Sequence, residues 1–466
     1  MRVLSVDVGT TSVRAVVVGD DAGVLDTVRT PTVVSTPRPG YLEFDATRLA
    51  DDVMNTVQSA VQRSGPVDAI GVANQRSSTV VWDRRTGIPI GPGLGWQDSR
   101  TTAECSRLAR DHGIALLPSQ TATKAAWLIQ SAGVRPDSVC IGTLDSWIAW
   151  RLTGEHVTDH TNAAMTGLFS SAATWSPDVV ALLGLDMSSL PRIVTSTGVI
   201  ADTTALLPTG PLAALIGDQQ ASLLGQGCVH DGMAKLTIGT GAMLDVCTGA
   251  VPAALVGAGC FPIIAWSEPA AMVFGLEGLA LTAGACVEWL VHLGVLADPA
   301  DSDALAATVP DTGGVVFVPA LAGLGTPHWN LAARGALFGL TRGTGQAHVV
   351  RAVLDGVAQR CAELADAAAR DCGRPLTHLR IDGGMARNTT FVDLLARRSG
   401  RTIEVSAVIE STALGAALLA GVAIGAWPSL ADASGSWRAA RIVPAGDHST
   451  VENWEVAIAR SDPSTA

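Results

Sequence analysis

One pattern occurs twice in this chain, once at its start and once near its middle. Residues 4–25 read LSVDVGTTSVRAVVVGDDAGVL, and residues 234–255 read AKLTIGTGAMLDVCTGAVPAAL. Both copies run through a β-like stretch, a Gly-Thr turn, a second β-like stretch and another turn, in that order. A repeat on the scale of a domain indicates that each copy begins a similar folding unit. The chain is therefore expected to form two similar domains that face each other across a cleft.

The elements that follow the first copy indicate which kind of unit this is. Strands at Val3–Val8, Val13–Val18 and Val24–Val28 precede a helix at Leu49–Val61 and a strand at Ala69–Ala73. The order β-β-β-α-β is that of the ribonuclease-H-like unit found in actin-related ATPases. We therefore predict an α/β fold of two actin-like (ribonuclease-H-like) domains with an interdomain cleft, divided as residues 1–228 and 229–466.

Further elements follow from the same periodicities. The stretch from Ile88 to Pro208 is interpreted as an insertion in the first domain, with helices around Leu108, Trp127 and Trp147. In the second domain the pattern predicts strands at Ala234–Ile238 and Leu379–Ile381, and helices at Ala283–Leu293, Ala347–Ala369 and Ala413–Leu419. The Gly, Pro and Ser residues after Gly425 predict fraying toward a polar tail.

Composition and charge exclude several classes of partner. The formal net charge is −12, and no run of Lys or Arg exceeds a pair, which argues against binding nucleic acid or an anionic membrane. The eight cysteines form no CxxC pair and the nine histidines are dispersed, so no disulfide framework or metal set is indicated. The amino terminus enters a strand at once, and apolar stretches are interrupted before about 18 residues, so we predict neither a signal peptide nor a membrane span. A cytoplasmic protein is expected.

The segment LIGDQQ places a carboxylate at the end of an apolar strand. Asp218 follows Gly217 directly, and open α/β sheets carry their chemistry at the carboxyl ends of strands. A short carboxylate held there suits a general base. The alternative is an N-cap for a helix beginning at Gln219. The Gly239-Thr240-Gly241 turn, whose backbone amides and hydroxyl suit phosphate, favours the base and phosphoryl transfer.

Asp7 is embedded in an apolar strand, which is costly for a carboxylate unless it is paired or bound to a cation. A role in binding Mg²⁺ and phosphate is favoured over the alternative of capping the Thr10-Thr11 turn. Arg14, on the returning strand, could reach a phosphate oxygen or form a surface salt bridge instead.

Two other places offer weaker signals. Asp382-Gly383-Gly384, followed by Asn388, is a strand-to-helix glycine turn that suits the close approach of adenine or ribose, although it can also be only a tight turn. Arg76 and Trp96 end β-like runs and suit a sugar pocket. The alternatives are ordinary surface for Arg76 and ordinary core for Trp96.

Taken together, these stretches resemble the FGGY family of carbohydrate kinases, most closely its glycerol kinase branch. The resemblance is carried by VDVGTTSVRAVV (6–17), GVANQRSSTVVWDRRTG (71–87), GWQDSRT (95–101), TKAAWLI (123–129), GTLDSWIAWRLTG (142–154), GDQQASLLGQ (217–226), GMAKLTIGTGAML (232–244), LEGLALTAGACVEWL (276–290), VPALAGLGTPHWNLAARGALFGLTRGT (318–344), RIDGGMARN (380–388) and TALGAALLAG (412–421). These segments run nearly end to end in the family's order.

The resemblance implies domains that close over ATP, Mg²⁺ and a small polyol or sugar. It implies that Asp218 is the base and that Arg76, Trp96, Gln219, Ser77 and Ser119 contact the acceptor. It further implies phosphate contacts at Thr10, Thr11, Ser12, Arg14, Gly239 and Thr240, a Mg²⁺ contact at Asp7, and nucleoside contacts at Gly284, Gly384 and Asn388. Glu288 stands where glycerol kinases have a nucleotide-contacting Gln. A homodimer is kept as an alternative to a monomer.

Two departures from the glycerol kinase pattern concern the acceptor. Ser77 stands where a Glu is expected and Ser119 where a Tyr is expected. A glycerol hydroxyl left without its charge-assisted partner loses about 1.5–3 kcal/mol. We therefore expect a larger polyol or a ketose of four or five carbons. The alternatives are a glycerol kinase proper, an actin-like ATPase clamp without a sugar substrate, and a silent sugar-binding regulator.

Overall fold

The computed structural model describes residues 1–205 and 210–463 and divides into two compact units. Unit 1 comprises Met1–Gly227, Ile264–Met272 and Glu410–Ser436; unit 2 comprises Cys228–Ile263, Val273–Ile409 and the described residues from Trp437 onward. The contiguous division at residue 228 stays a prediction. Pro208 and Ala466, which end the predicted insertion and the predicted second domain, lie outside the described residues.

The elements up to residue 227 are as follows. They are β1 (Arg2–Val8), β2 (Ser12–Gly19), β3 (Val24–Pro31), β4 (Glu43–Phe44), α1 (Ala46–Ser64), β5 (Ala69–Asn74), β6 (Thr79–Asp83), β7 (Gly93–Leu94), α2 (Thr102–His112), α3 (Thr121–Ala132), β8 (Val139–Thr143), α4 (Leu144–Thr153), β9 (Val157–Asp159), α5 (His160–Ala164), α6 (Pro177–Leu182), β10 (Arg192–Val194), β11 (Thr197–Ala201), β12 (Leu212–Gly217) and α7 (Asp218–Gly225).

The remaining elements lie between residues 228 and 463. They are β13 (Ala234–Ile238), β14 (Ala242–Gly249), β15 (Phe261–Glu268), β16 (Ala271–Ala280), α8 (Gly284–His292), α9 (Asp301–Ala306), β17 (Val316–Val318), β18 (Ala336–Phe338), α10 (Gln346–Cys372), β19 (His378–Asp382), α11 (Thr389–Ser399), β20 (Thr402–Ser406), α12 (Ser411–Ala423), α13 (Leu430–Ser434), β21 (Ala439–Val443) and α14 (Trp454–Arg460). Short 3₁₀ helices span Pro136–Ser138, Met187–Ser189 and Gly384–Arg387.

The sheet of unit 1 has the order β11-β12-β5-β1-β2-β3. The hairpin β1–β2 is antiparallel, whereas β1, β5 and β12 run parallel, so their carboxyl ends meet at one edge. β5 is buried throughout, as expected of a central parallel strand covered on both faces. Helix α1 covers the sheet with the apolar face Leu49, Val53 and Val57, and the side chain of Asp45 caps its first turn.

Helices α7 and α12 pack closely in unit 1 because glycines remove the side chains at their contact. A Cβ on Gly225 would lie 1.9 Å from the carbonyl oxygen of Ser411, and one on Gly415 would lie 1.8 Å from that of Ala221. Neither position could carry even an alanine without moving a helix. The contact fixes α7, whose first residue is Asp218.

The sheet of unit 2 repeats this arrangement. Its hairpin β13–β14 is antiparallel, β13 pairs parallel with β19 and β19 with β20, and the edge strand β21 is antiparallel. These strands therefore correspond to β1, β2, β5, β12 and β11 of unit 1, and the predicted repeat is confirmed. The long helix α10 is buried along most of its length in the core of this unit.

The predicted strands and helices listed above are all present, but the predicted fraying after Gly425 is wrong. Strand β21 pairs with β20, and helices α13 and α14 are both formed. The segment is ordered because it contributes apolar side chains to the core: Val451, Trp454 and Ala457 are 9%, 3% and 4% exposed. Their burial outweighs the local Gly and Pro signals.

Candidate active site

The carboxyl edge of the sheet in unit 1 gathers most of the predicted polar residues. Val8 at the end of β1 is paired with Asn74 at the end of β5, which in turn is paired with Gly217 at the end of β12. The residues that follow these three positions therefore lie along one edge. They include Thr10, Arg76 and Asp218.

Asp7 lies just before this edge and is 4% exposed. Its Oδ2 is 3.0 Å from Nη1 of Arg14, which is the residue directly opposite on β2. Burial raises the pKa of Asp7 to about 7; Arg14 opposes the shift, and the nearby carboxylates of Asp218 and Glu410 add to it. Asp7 is therefore buried among charges rather than capping the turn, and an added cation would stabilise its ionised form.

Asp218 is the first residue of α7, and Gly217 is the N-cap. Its Oδ1 accepts a hydrogen bond of 2.8 Å from the amide of Gln219 and lies 3.5 Å from Nε of Arg76. The side chain of Asp218 is 27% exposed and that of Arg76 is 11% exposed. Arg76 is thus partly enclosed beside Asp218, and the surface interpretation of Arg76 is wrong.

Gly217 makes this approach of Arg76 feasible. A Cβ at residue 217 would lie 2.9 Å from both Cγ and Cδ of Arg76. The aliphatic part of the arginine therefore occupies the space that a larger residue would need. The close approach of the Arg76 side chain to the backbone of Gly217 explains why the strand ends in glycine.

Trp96 and Thr10 form a second group at this edge. The indole Nε1 of Trp96 donates to Thr10 Oγ1 at 3.3 Å, and Thr10 Oγ1 donates to Gln75 Oε1 at 3.1 Å. The backbone amide of Trp96 donates to Ser78 Oγ at 3.1 Å. Trp96 is 37% exposed, so it is not an ordinary core residue.

Ser77 has an unusual backbone conformation, with φ at +64° in the left-handed region. Its hydroxyl donates to the carbonyl oxygen of Met165 at 3.2 Å. Lys124 Nζ donates to the carbonyl oxygens of Ser77 at 2.8 Å and Gly95 at 3.0 Å, and burial lowers the pKa of this lysine to about 7. Ser119 is partly buried in the turn before α3.

Other members of the predicted set differ in exposure. Thr11 is exposed at the tip of the first hairpin, whereas Ser12 is 1% exposed. Sequence reasoning missed Glu410, whose Oε2 is 3.4 Å from Nη1 of Arg14. Its only sequence signal is an acidic residue directly before the helix that α12 forms.

Unit 2 brings its predicted glycine turns together at the carboxyl end of β13. The amide of Gly284 donates to the carbonyl oxygen of Gly239 at 2.9 Å, and the amide of Ala283 donates to that of Thr240 at 2.8 Å. Gly239 and Thr240 are both exposed. The carbonyl oxygens of the Gly239–Gly241 turn therefore accept hydrogen bonds from the first backbone amides of α8, which holds the turn against the start of that helix.

The Gly383-Gly384 turn lies beside that first turn. Gly383 has φ of +91°, and a Cβ there would be 2.4 Å from the carbonyl oxygen of Ile238, so only glycine fits. A Cβ on Gly384 would meet nothing within 4 Å in the described structure. Asn388 caps α11 by accepting from the amide of Phe391 at 2.8 Å, and Glu288 is exposed on α8.

Two family models match this chain. The model of the N-terminal domain of the FGGY family of carbohydrate kinases matches residues 2–225, and the model of the family's C-terminal domain matches residues 234–424. The glycerol kinase of Aromatoleum aromaticum (strain DSM 19018 / LMG 30748 / EbN1) is 39% identical over 462 residues, covering 94% of this chain and 93% of that protein.

Solved structures give the same result. The crystal structure of Plasmodium falciparum glycerol kinase with ADP has a TM-score of 0.91 at 28% identity, covering 99% of this chain and 98% of that chain. The xylulose kinase from Rhodospirillum rubrum has a TM-score of 0.86 at 23% identity, covering 100% and 97%, a likeness of fold alone.

These matches define the class of protein: it is a carbohydrate kinase, an ATP-dependent phosphotransferase. More specifically, the chain belongs to the FGGY family. This membership favours the kinase interpretation over the nucleotide-gated clamp. Within the described part of the chain, no helix has the length and apolar character that a membrane crossing requires.

Proposed function

We propose that this kinase transfers the terminal phosphoryl group of ATP to a hydroxyl of a small polyol or sugar, with Asp218 as the general base. The observation that carries the proposal is the pair formed by Asp218 and Arg76 at the carboxyl edge of the unit 1 sheet, with Nε and Oδ1 3.5 Å apart. Beside it, Trp96 and Thr10 supply an aromatic face and a hydroxyl. A sugar pocket combines these kinds of group.

In this proposal the carboxylate of Asp218 accepts the proton as the acceptor hydroxyl attacks phosphorus. The amide of Gln219 and Nε of Arg76 both contact Oδ1, which orients the carboxylate. Arg76 also places a positive charge beside the carboxylate. Phosphoryl transfer needs alignment and charge neutralisation more than covalent help.

The phosphates and the nucleoside are assigned to the hydroxyl-rich and glycine-rich turns. We propose phosphate contacts at Thr10, Thr11, Ser12, Arg14, Gly239 and Thr240, and nucleoside contacts at Gly284, Glu288, Gly384 and Asn388. The exposure of Gly239 and Thr240 and the open space beside Gly384 support these roles. The side-chain amide of Asn388 already donates to Ser302 at 3.0 Å, so any contact from it to a nucleoside would reorganise that bond.

The donor set of unit 1 fits Mg²⁺. The ion usually binds one or two carboxylates together with substrate phosphates. Asp7 is a buried carboxylate whose pKa burial raises to about 7, and Asp218 is near enough to raise it further. We propose that Asp7 holds Mg²⁺, which when bound would neutralise phosphate charge.

For the acceptor we propose a polyol or ketose larger than glycerol. Short side chains at Ser77 and Ser119 replace a Glu and a Tyr of the glycerol kinase pattern, and the hydroxyl of Ser77 is engaged by the carbonyl oxygen of Met165. A second candidate is glycerol itself, which is supported by the 39% identity to the Aromatoleum aromaticum glycerol kinase.

A panel of acceptors tests the proposal. ADP formation from Mg·ATP should rise only when an acceptor is added, and kcat/KM for xylitol, erythritol or D-xylulose should exceed that for glycerol. The Ser77→Glu, Ser119→Tyr double variant should gain glycerol activity. A wide advantage for glycerol in the unmodified protein would contradict the larger acceptor, and ADP formation that ignores every acceptor would contradict the kinase assignment.

A further inference from the structure

Asp159 is a completely buried carboxylate that receives five hydrogen bonds. It ends β9 and caps the short helix α5. Its Oδ1 accepts from the hydroxyl of Thr161 at 2.9 Å and from the backbone and side-chain nitrogens of Asn162 at 3.0 and 2.9 Å. Its Oδ2 accepts from the amide of Thr161 at 3.1 Å and the hydroxyl of Ser196 at 2.7 Å. All five partners are donors, so this environment requires an acceptor at every position around the carboxylate.

One of these partners connects Asp159 to the segment that carries Asp218. The hydroxyl of Thr161 donates a hydrogen bond to Asp159 and accepts one from the backbone amide of Gly217 at 2.8 Å. The carboxylate thereby fixes the direction in which the Thr161 oxygen presents its lone pairs. Gly217 immediately precedes Asp218, and its lack of a side chain leaves room for Cγ and Cδ of Arg76.

A second partner connects Asp159 to the segment that carries Arg76. Asn162 Nδ2 donates both to Asp159 Oδ1 and to Asn74 Oδ1, the latter at 3.1 Å. The side-chain nitrogen Nδ2 of Asn74 donates to Asn162 Oδ1 at 2.9 Å and to the backbone carbonyl oxygen of Gln75 at 3.0 Å. Gln75 immediately precedes Arg76, so the position of this segment depends on how Asn162 is oriented.

The same helix also reaches the segment at Ser77. Met165, at the carboxyl end of α5, accepts the hydrogen bond from the Ser77 hydroxyl. The short helix α5 and its C-cap residue thus contact the backbone of Gly217, the side chain of Asn74 and the side chain of Ser77. These contacts join parts of the chain that lie 56 and 88 residues apart in sequence.

We propose that Asp159 is a positioning residue for phosphoryl transfer, which holds Thr161 and Asn162 so that the Asp218 and Arg76 side chains meet. This inference rests on the proposed function of Asp218 as the base. Asp159 touches neither Asp218 nor Arg76 in this arrangement, and it acts through the two strand ends.

Replacement by asparagine tests the role at nearly constant shape. In Asp159→Asn one oxygen becomes an NH₂ group, which faces either the Thr161 hydroxyl and Asn162 Nδ2 or the backbone amide of Thr161. In either orientation two donors meet, so the first turn of α5, which carries both connecting side chains, must shift. Misplacement by a fraction of an ångström at the reacting groups lowers the rate, and we expect a loss in kcat of about 10- to 100-fold. KM for ATP should stay within about twofold, because Asp159, Thr161 and Asn162 are not among the residues that we propose to contact ATP.

Two further variants separate positioning from folding. Thr161→Val removes the hydroxyl that holds the Gly217 amide at nearly constant volume, and we expect a loss in kcat of about tenfold with a fold intact by circular dichroism. Ser196→Ala removes another of the five donors, but its hydroxyl contacts neither Gly217 nor Asn74. We expect kcat of Ser196→Ala within about twofold of the unmodified protein.

The closing experiment places Asp159→Asn and Thr161→Val in the Asp218→Ala background, with Mg·ATP and the best acceptor among glycerol, erythritol, xylitol and D-xylulose. If Asp159 acts through Asp218, each substitution should cost less than about threefold in that background, because residues that act as one unit are not additive. Equal losses in both backgrounds, or an Asp159→Asn protein that melts earlier while its kcat per folded molecule is unchanged, would overturn the positioning role. A normal kcat for Asp218→Ala alone would instead overturn the proposed function.

Discussion

The first hairpins of the two units have the same topology but place their buried charges at different depths. In β1–β2, Asp7 and Arg14 face each other one pair before the turn. In β13–β14, Lys235 and Asp245 face each other three pairs before the turn, with Nζ and Oδ2 2.7 Å apart and both side chains fully buried. Both pairs lie on equivalent faces of their hairpins, since side chains alternate along a strand.

The two charged pairs also differ in how exposed their side chains are. The Arg14 side chain is 27% exposed and the pair it forms with Asp7 lies next to a hydroxyl-rich turn, so an incoming ligand can compete for either partner. Lys235 and Asp245 lie deep in the sheet, where Lys235 Nζ also donates to Thr237 Oγ1 at 3.0 Å. The turn of the second hairpin is correspondingly left to glycine and threonine. The two hairpins thus share a topology, but the first places its buried charged pair nearer to the turn than the second does.

The largest effect should come from breaking the pair in unit 2. Lys235→Met removes the cation that lies 2.7 Å from the buried carboxylate of Asp245, and we expect about 3–5 kcal/mol less free energy of unfolding. Urea denaturation measures it. The Lys235→Met, Asp245→Leu double variant should recover most of the loss, because an apolar pair of similar volume replaces a buried ion pair well. A single variant as stable as the unmodified protein would remove the structural role.

The equivalent change in unit 1 should affect activity instead of stability. Asp7→Asn should lower kcat by about 10²- to 10³-fold, as expected for the loss of one electrostatic contact to the reacting phosphates. At pH 8 its melting temperature should not fall by more than about 2 °C, because burial raises the pKa of Asp7 to about 7 and the ionised form is costly in the folded state. A large stability loss with normal kcat would reverse the comparison.

The same titration predicts a pH dependence of activity. The folded pKa of Asp7 is raised above its ordinary value, so the nucleotide-free protein gains its charge only as the pH rises through about 7. The value of kcat/KM for Mg·ATP should therefore rise over pH 6 to 8, since this ratio reports the free enzyme. Asp7→Asn should abolish this rise in kcat/KM between pH 6 and 8. An unchanged rise in the variant would show that another group titrates there.

Adjacent glycines in unit 2 sharpen the role of its turns. Gly383→Ala should lower the melting temperature and raise KM for ATP about tenfold, equivalent to about 1.4 kcal/mol, because its methyl group would collide with the Ile238 carbonyl oxygen. Gly384→Ala should leave the melting temperature unchanged yet still raise KM for ATP, since its methyl group enters the open space proposed for the nucleoside. An unchanged KM in Gly384→Ala would place the nucleoside elsewhere.

The smallest effect concerns a second fully buried lysine. Lys124 in unit 1 donates to two carbonyl oxygens, whereas Lys235 in unit 2 faces a carboxylate. Burial lowers the pKa of Lys124 to about 7, below its value in an unfolded chain. Between these two pKa values the unfolded state binds more protons, so stability rises with pH.

A melting curve measured across pH tests this sign. The melting temperature of the unmodified protein should increase between pH 7 and 9 by about 2–4 °C more than that of Lys124→Met. The methionine variant is the control, because it fills the same space without a titrating group. A parallel pH dependence in both proteins would show that Lys124 does not carry the effect.

The sequence was informative wherever the signal is local. The hairpin patterns, the Gly-Asp strand end at residue 218 and the glycine turns at 239 and 383 depend on neighbouring residues, and the structure places them at the carboxyl edges of the two sheets. The resemblance extended these signals along the chain. The predicted fraying after Gly425 is wrong because the burial of Trp454 depends on residues that are distant in sequence.

The network behind the site could not be predicted in this way. Asp159 resembles any N-cap in the sequence, and its connection to Gly217 and Asn74 exists only because β5 and β12 end side by side. Glu410 lies 396 residues from Arg14, a separation obtained as 410 minus 14, and nothing local indicates their contact. Contacts of this kind depend on tertiary packing rather than on spacing.

The most direct measurement is the turnover of Asp218→Ala with nucleotide binding followed in parallel by calorimetry. We predict that kcat falls by about 10²- to 10⁴-fold, the contribution typical of a general base, while the dissociation constant for ATP changes by less than about threefold. Turnover close to that of the unmodified protein would contradict it and leave Asp218 with only its place in the first turn of α7.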